Sequence, residues 1–361
     1  MRQGWFAFPG DLNAPTGGYG YARRMLDALP DCGWALEPLA LPDGFPAPEG
    51  PHIATALDQL RAIPKGALVL LDGLAFGGLP ATELANLPAT LVVLHHHPLA
   101  LETGLTQAEA TRLHATEKAA LGIAQAVIVT SPDTARTLVA DYAVPEGKIT
   151  IALPGTDPAP TAPGFSAPDP SGTDRAPVLL SVATLTPRKG HDVLLEALDR
   201  LRDLPWTAQW IGSLDRDRPC AQALQAAITE RGLAERITCP GAVTGADLQA
   251  AYQAAALFVL PSRHEGYGMA FAEALSYGLP VIGCAVGAVP DTVPAEAGIL
   301  VPPDDPDALE QALRAFLVDP ARRLRTAQAA RQAGLALPSW QDCATTIAAC
   351  LTEVMTEEMR P

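Results

Sequence analysis

Ala256-Leu257-Phe258-Val259-Leu260-Pro261-Ser262-Arg263-His264-Glu265-Gly266-Tyr267-Gly268-Met269-Ala270-Phe271-Ala272-Glu273-Ala274 is the stretch whose reading decides the fold. An apolar strand feeds a Gly-Tyr-Gly turn, and the pattern that leaves the turn is helical. Two carboxylates, Glu265 and Glu273, stand eight positions apart around it. A helix start offers free backbone N–H groups and a partial positive charge, which suits a phosphate. Eight residues along a helix span roughly 12 Å, about the reach from the sugar of a nucleotide sugar to its ribose. The stretch reads as a cradle for an activated sugar.

Outward from it, short apolar runs alternate with helical patterns. Before the middle of the chain, Gly4–Pro9, Ala67–Leu71, Thr90–Leu94 and Ala126–Thr130 read as strands. Tyr19–Leu29, Thr106–Leu121 and Pro132–Tyr142 read as helices, the last opening on Ser131-Pro132, a cap followed by proline at the first helical position. Pro154–Asp174 then breaks the pattern with six prolines and three glycines, so it is the linker candidate. A second series follows. Its strands are Val178–Ala183, Thr207–Ile211, Ile237–Cys239, Leu257–Leu260 and Val281–Cys284. Its helices are His191–Leu201, Cys220–Arg231, Gly245–Ala255, Ala270–Tyr277, Asp307–Leu317 and Ala321–Ala333. Such alternation predicts parallel β-α-β units with both sheet faces covered, hence two doubly wound α/β domains in tandem. Ser339–Met355 carries a helical stripe at Ile347, Leu351 and Val354.

The bulk numbers agree with a folded, two-domain chain. It has 361 residues, long for a single core, with 48% hydrophobic and 18% charged residues. A formal charge of −15 argues against nucleic acid, which needs a basic face, and gives no support to a peripheral membrane contact. The six cysteines match no zinc spacing, and they read as reduced thiols of a cytoplasmic protein. Neither a signal peptide nor a run of ~20 apolar residues is read, so no transmembrane segment is expected.

Other segments carry candidate chemistry. Gly17-Gly18-Tyr19-Gly20 fails the dinucleotide fingerprint, because Arg23 stands at its last glycine; a nicotinamide cofactor is not expected. The turn reads either as an ordinary strand-to-helix connection or as a close backbone approach to a phosphate. Arg188 and Lys189 sit in the turn after the first strand of the second series, where two cations would neutralise a diphosphate leaving group. The chain has only four lysines, which marks Lys189. His95-His96-His97 ends a strand; neighbouring strand side chains face opposite ways, so the three cannot all meet one metal, and no metal is expected. One or two of them would instead serve a sugar hydroxyl or phosphate. Asp215-Arg216-Asp217 is a D-x-D pair that reads as a solvated loop.

Together these residues resemble the large family of retaining GT-B glycosyltransferases numbered four, the glycosyl transferases group 1. Glu265-Gly266-Tyr267-Gly268 with Glu273-Ala274-Leu275 and Gly278-Leu279-Pro280-Val281 is similar to that family's E-G-[FY]-G-x-x-x-x-E-A box. Ile151–Asp157, Pro261-Ser262, Gly287–Asp291 and Gly298–Asp305 resemble further landmarks. The resemblance implies two Rossmann-like domains facing across a cleft. Residues 1–165, with a last helix over 339–361, would bind the acceptor, and residues 172–338 the nucleotide-sugar donor. It implies that Glu265 contacts the donor sugar and Glu273 the ribose. Gly266, Tyr267, Gly268 and Met269 would offer backbone N–H groups, and Lys189 with Arg188 would hold the diphosphate. Gly241 and Val243 would lie beside the base, Gly17 and Gly18 would face the phosphates, and His96, or else His97, would be the cleft histidine. The chain departs from the pattern at Ala183-Thr184, where many members carry Gly-Arg, at Ala288 in place of glycine, and at Asp291 in place of Glu.

The implied chemistry is transfer of a sugar from a UDP- or GDP-linked donor, a co-substrate and not a resident cofactor, to an acceptor hydroxyl with retained configuration. The acceptor would be a glycolipid, a polysaccharide intermediate or a small glycoside. Two alternatives stand beside it: a nucleotide-sugar epimerase of the same architecture, and a non-catalytic nucleotide-sugar binder.

Overall fold

The strands Arg2–Pro9 (β1), Trp34–Leu41 (β2), Leu68–Asp72 (β3), Thr90–His95 (β4), Ala126–Val129 (β5) and Ile149–Ile151 (β6) form one sheet, in the order β2-β1-β3-β4-β5-β6. A second sheet is built from Val178–Val182 (β7), Thr207–Ile211 (β8), Ile237–Gly241 (β9), Leu257–Leu260 (β10), Val281–Cys284 (β11) and Gly298–Val301 (β12), in the order β12-β11-β10-β7-β8-β9. Each pairing is parallel. The structure is a computed structural model and describes residues 1–14, 16–102, 104–162 and 176–358. The linker candidate Pro154–Asp174 therefore lies outside the described residues from position 163 onward.

The chain divides into two compact units, Met1–Gly155 with Pro338–Pro361, and Thr156–Leu337. Burial on both sheet faces explains the apolar runs. In β10, Leu257 and Val259 pack into one core cluster and Phe258 and Leu260 into another. β7 alternates in the same way, with Leu179 in the first cluster and Leu180 in the second. In the first unit Val69, Leu71, Val93, Val127 and Val129 share one core with the helix Gly50–Arg61. The helix Trp340–Glu358 belongs to that unit and buries Cys343, Ala344, Ile347, Leu351 and Val354. Trp34 Nε1 donates to Thr352 Oγ1 at 3.0 Å, and Tyr21 stacks edge-on against Trp340. Among the described residues no helix is long and apolar enough to cross a membrane.

Several elements escape the sequence pattern, among them β2, β6, β12 and the helix Gly50–Arg61. β2 reads Trp-Ala-Leu-Glu-Pro-Leu-Ala-Leu, and its Glu37 and Pro38 are tolerated because β2 is an edge strand. The helix Gly50–Arg61 opens with Pro51, which fills a first-turn position whose N–H has no helical partner anyway. Two expectations need correction. The helix after the Gly-Tyr-Gly turn begins at Met269, so Glu265 precedes it by four residues and a helical ruler does not measure its distance to Glu273. Gly17 and Gly18 are not a tight turn; they open the helix Gly17–Ala28, which Thr16 caps by accepting from Tyr19 N.

Candidate functional site

In a doubly wound sheet the carboxyl ends of the two strands flanking the reversal of strand order leave a crevice. The reversal lies between β7 and β10 in the second unit and between β1 and β3 in the first. The second-unit candidates gather at the first of these places.

β7 gives way to Ala183–Thr186 and then to a single 3-10 turn, Pro187–Lys189. Gly190 closes it with φ +69°, and a Cβ there would overlap the carbonyl oxygen of Pro261. The missing side chain lets the loop after β7 press on the loop after β10. The two loops are then cross-linked: Arg263 N donates to Arg188 O at 2.8 Å, and Arg188 Nη1 donates to His264 O at 3.0 Å.

Glu265 sits at this junction and is buried, with 6% exposure. Lys189 Nζ donates to its Oε1 at 2.6 Å, Ser262 Oγ donates to the same oxygen at 2.6 Å, and Arg188 Nη1 lies 3.7 Å from Oε2. Burial alone would raise the Glu265 pKa. The charges of Lys189 and Arg188, with the bonds from Lys189 and Ser262, outweigh burial and hold the carboxyl below its ordinary value. The backbone is braced from the segment after β11: Ala288 N donates to Glu265 O at 3.0 Å, and Thr292 Oγ1 donates to Tyr267 O at 2.8 Å. Gly287 lies so close that a Cβ on it would overlap the Glu265 carbonyl.

Gly266, Tyr267, Gly268 and Met269 follow directly, and the helix Met269–Ser276 that they enter carries no side-chain cap. Its first-turn N–H groups carry the partial positive charge of a helix start. Glu273 lies on that helix and accepts from Tyr252 Oη at 2.8 Å. Burial raises its pKa against the lowering effect of that bond. Tyr252 in turn stacks face to face on Tyr277, at 4.9 Å and 7°. Gly241 ends the edge strand β9, where its carbonyl accepts from Gly212 N at 3.0 Å, and Val243 follows, packed partly into the core. Both lie at the same carboxyl edge, two strands from β7.

The first unit places Gly18 beside His96, whose ring lies 3.5 Å from where a Gly18 Cβ would stand. His96 Nε2 is 3.9 Å from the buried Asp72 at the end of β3. Burial, and then the neighbouring His97 and His95, lower its pKa to about 3, so the ring is neutral at physiological pH. His97 pairs with Glu102 at 2.6 Å, and His95 is buried against Glu117 at 2.9 Å. The three histidines thus go three separate ways. Asp217 of the D-x-D pair caps the helix Arg218–Glu230, and Asp215 pairs with Arg218.

The sequence assigns no role to Ser262, Arg263, Tyr252 or Asp72, although Pro261-Ser262 resembles a family landmark. A hydroxyl three residues ahead of a loop carboxylate has no periodic signature, and Tyr252 meets Glu273 only through tertiary packing.

Residues 176–319, which contain this junction, match the family model described as Glycosyl transferases group 1. The chain is 32% identical over 193 residues, 48% of this chain and 49% of the other, to the GDP-mannose-dependent alpha-(1-6)-phosphatidylinositol monomannoside mannosyltransferase of Mycolicibacterium smegmatis. The match spans about half the length of such curated relatives. The fold is that of sucrose-phosphate synthase from Thermosynechococcus elongatus, with TM-score 0.81, 23% identity, and coverage of 99% of this chain and 100% of that one. It is also that of Anabaena HepE, solved with UDP-glucose, with TM-score 0.75, 18% identity, and coverage of 99% and 100%. These neighbours define the architecture as GT-B.

Proposed function

We propose that the chain is a retaining glycosyltransferase that moves a sugar from a nucleoside diphosphate sugar to an acceptor hydroxyl. The convergence of Lys189 and Arg188 on buried Glu265, at the strand-order reversal and beside an uncapped helix start, carries this reading. As the glycosidic bond of the donor breaks, negative charge grows on the departing diphosphate. Lys189, Arg188 and the N–H groups of Gly266–Met269 stabilise that charge more than they stabilise the ground state. Glu265 then takes the sugar hydroxyls and Glu273 the ribose. The proposed step uses no carboxylate as a covalent nucleophile; the acceptor attacks the face that the leaving group vacates. The unit Thr156–Leu337 is assigned to the donor. The unit holding Gly17, Gly18 and His96 is assigned to the acceptor, and neutral His96 is a hydrogen-bonding group there. The mannosyltransferase named above takes GDP-mannose and the HepE complex holds UDP-glucose, so the donor is sought among UDP- and GDP-sugars.

Thermal melts with UDP, GDP, UDP-glucose and GDP-mannose test the site. A ligand at 100 times its dissociation constant adds about 2.7 kcal/mol of stability. Incubation of the binding donor with candidate hydroxyl acceptors, followed by NMR of the product's anomeric proton, tests retention. No shift with any nucleotide would overturn the reading.

A further inference from the structure

Arg263 stands two residues before Glu265, yet its side chain serves two other loops. Its guanidinium takes both oxygens of Asp192, at 3.1 and 2.8 Å, in the first turn of the helix that follows Lys189. Its Nε donates to Asp304 Oδ1 at 2.7 Å, in the loop after β12, and Nη1 also donates to the carbonyl of Pro187. Its own backbone N–H holds Arg188 O. One residue therefore ties together the turn that carries Lys189, the loop that carries Glu265 and the loop after β12. Asp304 is a non-glycine residue at φ +55°, a conformation that is kept only where the surroundings hold it.

The pairs are poor candidates for global stabilisation. Asp192 and Asp304 side chains are 58% and 59% exposed, and ion pairs with such partners contribute little to folding. What they do define is the spacing of the loops. Only a planar fork with several donors in fixed directions reaches both carboxylates and a carbonyl at once; a lysine ammonium does not.

We infer that Arg263 is a positioning residue for nucleoside diphosphate binding: by bridging Asp192, Asp304 and the Pro187 carbonyl, it holds Lys189 where the diphosphate needs it. This inference rests on the proposed donor site. Misplacement of a group by about 1 Å in such a site costs the reaction on the order of a hundredfold in rate.

The test is calorimetric titration of the full chain with UDP and with GDP, comparing wild type, Lys189→Ala, Arg263→Ala, Arg263→Lys and the double variant Asp192→Asn/Asp304→Asn, each checked by its melting temperature. Arg263→Ala and Arg263→Lys are both expected to weaken the diphosphate that binds by tenfold or more, with little change in melting. The double Asn variant decides between position and charge. It removes two negative charges, which by charge alone would strengthen binding of an anion, whereas loss of the anchors weakens it. Should Arg263→Lys and the double Asn variant bind as wild type does while Lys189→Ala loses binding, the inference is overturned and the donor site stands. If wild type, fully folded, binds neither UDP nor GDP, the donor site itself falls and takes the inference with it. Should Arg263→Ala fail to fold, the Arg263→Lys and double Asn variants decide between these outcomes.

Discussion

Replacing Lys189 by Met keeps most of the side-chain volume and removes its charge. The Lys189 and Glu265 side chains are only 15% and 8% exposed, and they meet at 2.6 Å. Removing one member of a buried pair strands the other, at a cost of about 3–5 kcal/mol. Here Ser262 still donates to Glu265, and Arg188 remains 3.7 Å away, so the low end applies, about 3 kcal/mol. For a unit of this size that lowers the melting temperature of the Thr156–Leu337 transition by about 6–12 °C. Lys189→Met/Glu265→Gln removes both charges, and Gln still accepts from Ser262. The pair principle then predicts recovery to within about 1 kcal/mol of wild type. Recovery of folding is expected without full recovery of nucleotide binding, because one of the two cations for the diphosphate is still missing. Thermal melts and UDP or GDP titration read the two separately. The reasoning fails if the single variant loses less than about 1 kcal/mol, or if the double variant is as unstable as the sum of the two singles.

Two buried carboxylates should respond to pH with opposite signs. Glu265 has a folded pKa below its ordinary 4.5, so its contribution is present above that value and lost as pH falls through the folded pKa; the advantage of wild type over Glu265→Gln should shrink in acid melts. Burial raises the Asp72 pKa to about 6 from 3.8, so its contribution is fully present below 3.8 and lost as pH rises through 6. Asp72→Asn keeps an acceptor for Leu74 N and should gain up to about 3 kcal/mol relative to wild type between pH 4 and pH 7, measured by urea unfolding of both proteins. Gly287→Ala forces a methyl against the Glu265 carbonyl and should weaken nucleotide binding at least as much as it lowers stability; a variant that binds normally would argue against the brace from the 287–292 segment. Tyr252→Phe removes the hydroxyl donor to Glu273, at a cost of about 1–3 kcal/mol in denaturant unfolding.

The strands and helices that can be read from the sequence share one cause. A strand covered on both faces is apolar throughout, as in Leu257–Leu260, and the helices between such strands carry a stripe. Edge elements lose that signal: β2 admits Glu37 and Pro38, and β6 and β12 span only three and four residues. At the site, Glu265, Glu273 and Lys189 are legible because a carboxylate beside glycines and a scarce lysine in a turn stand out locally. A helical position for Glu265 does not hold, because the Gly-Tyr-Gly segment delays helix entry to Met269. The contacts of Ser262, Arg263 and Tyr252 are illegible, since what they touch is decided by tertiary packing and not by any local pattern. Strand alternation is enough to separate the three histidines, but nothing local announces Glu117 or Glu102 as the separate partners of His95 and His97.

The excursion of the chain has a consequence for biogenesis. Residues 1–155 leave the ribosome before residues 156–337, but Tyr21 accepts from Cys343 Sγ and Trp34 donates to Thr352 Oγ1, each more than 300 positions downstream. Residues 156–337 form a contiguous stretch and need not wait. Of the two units, the one translated earlier is therefore the one completed later.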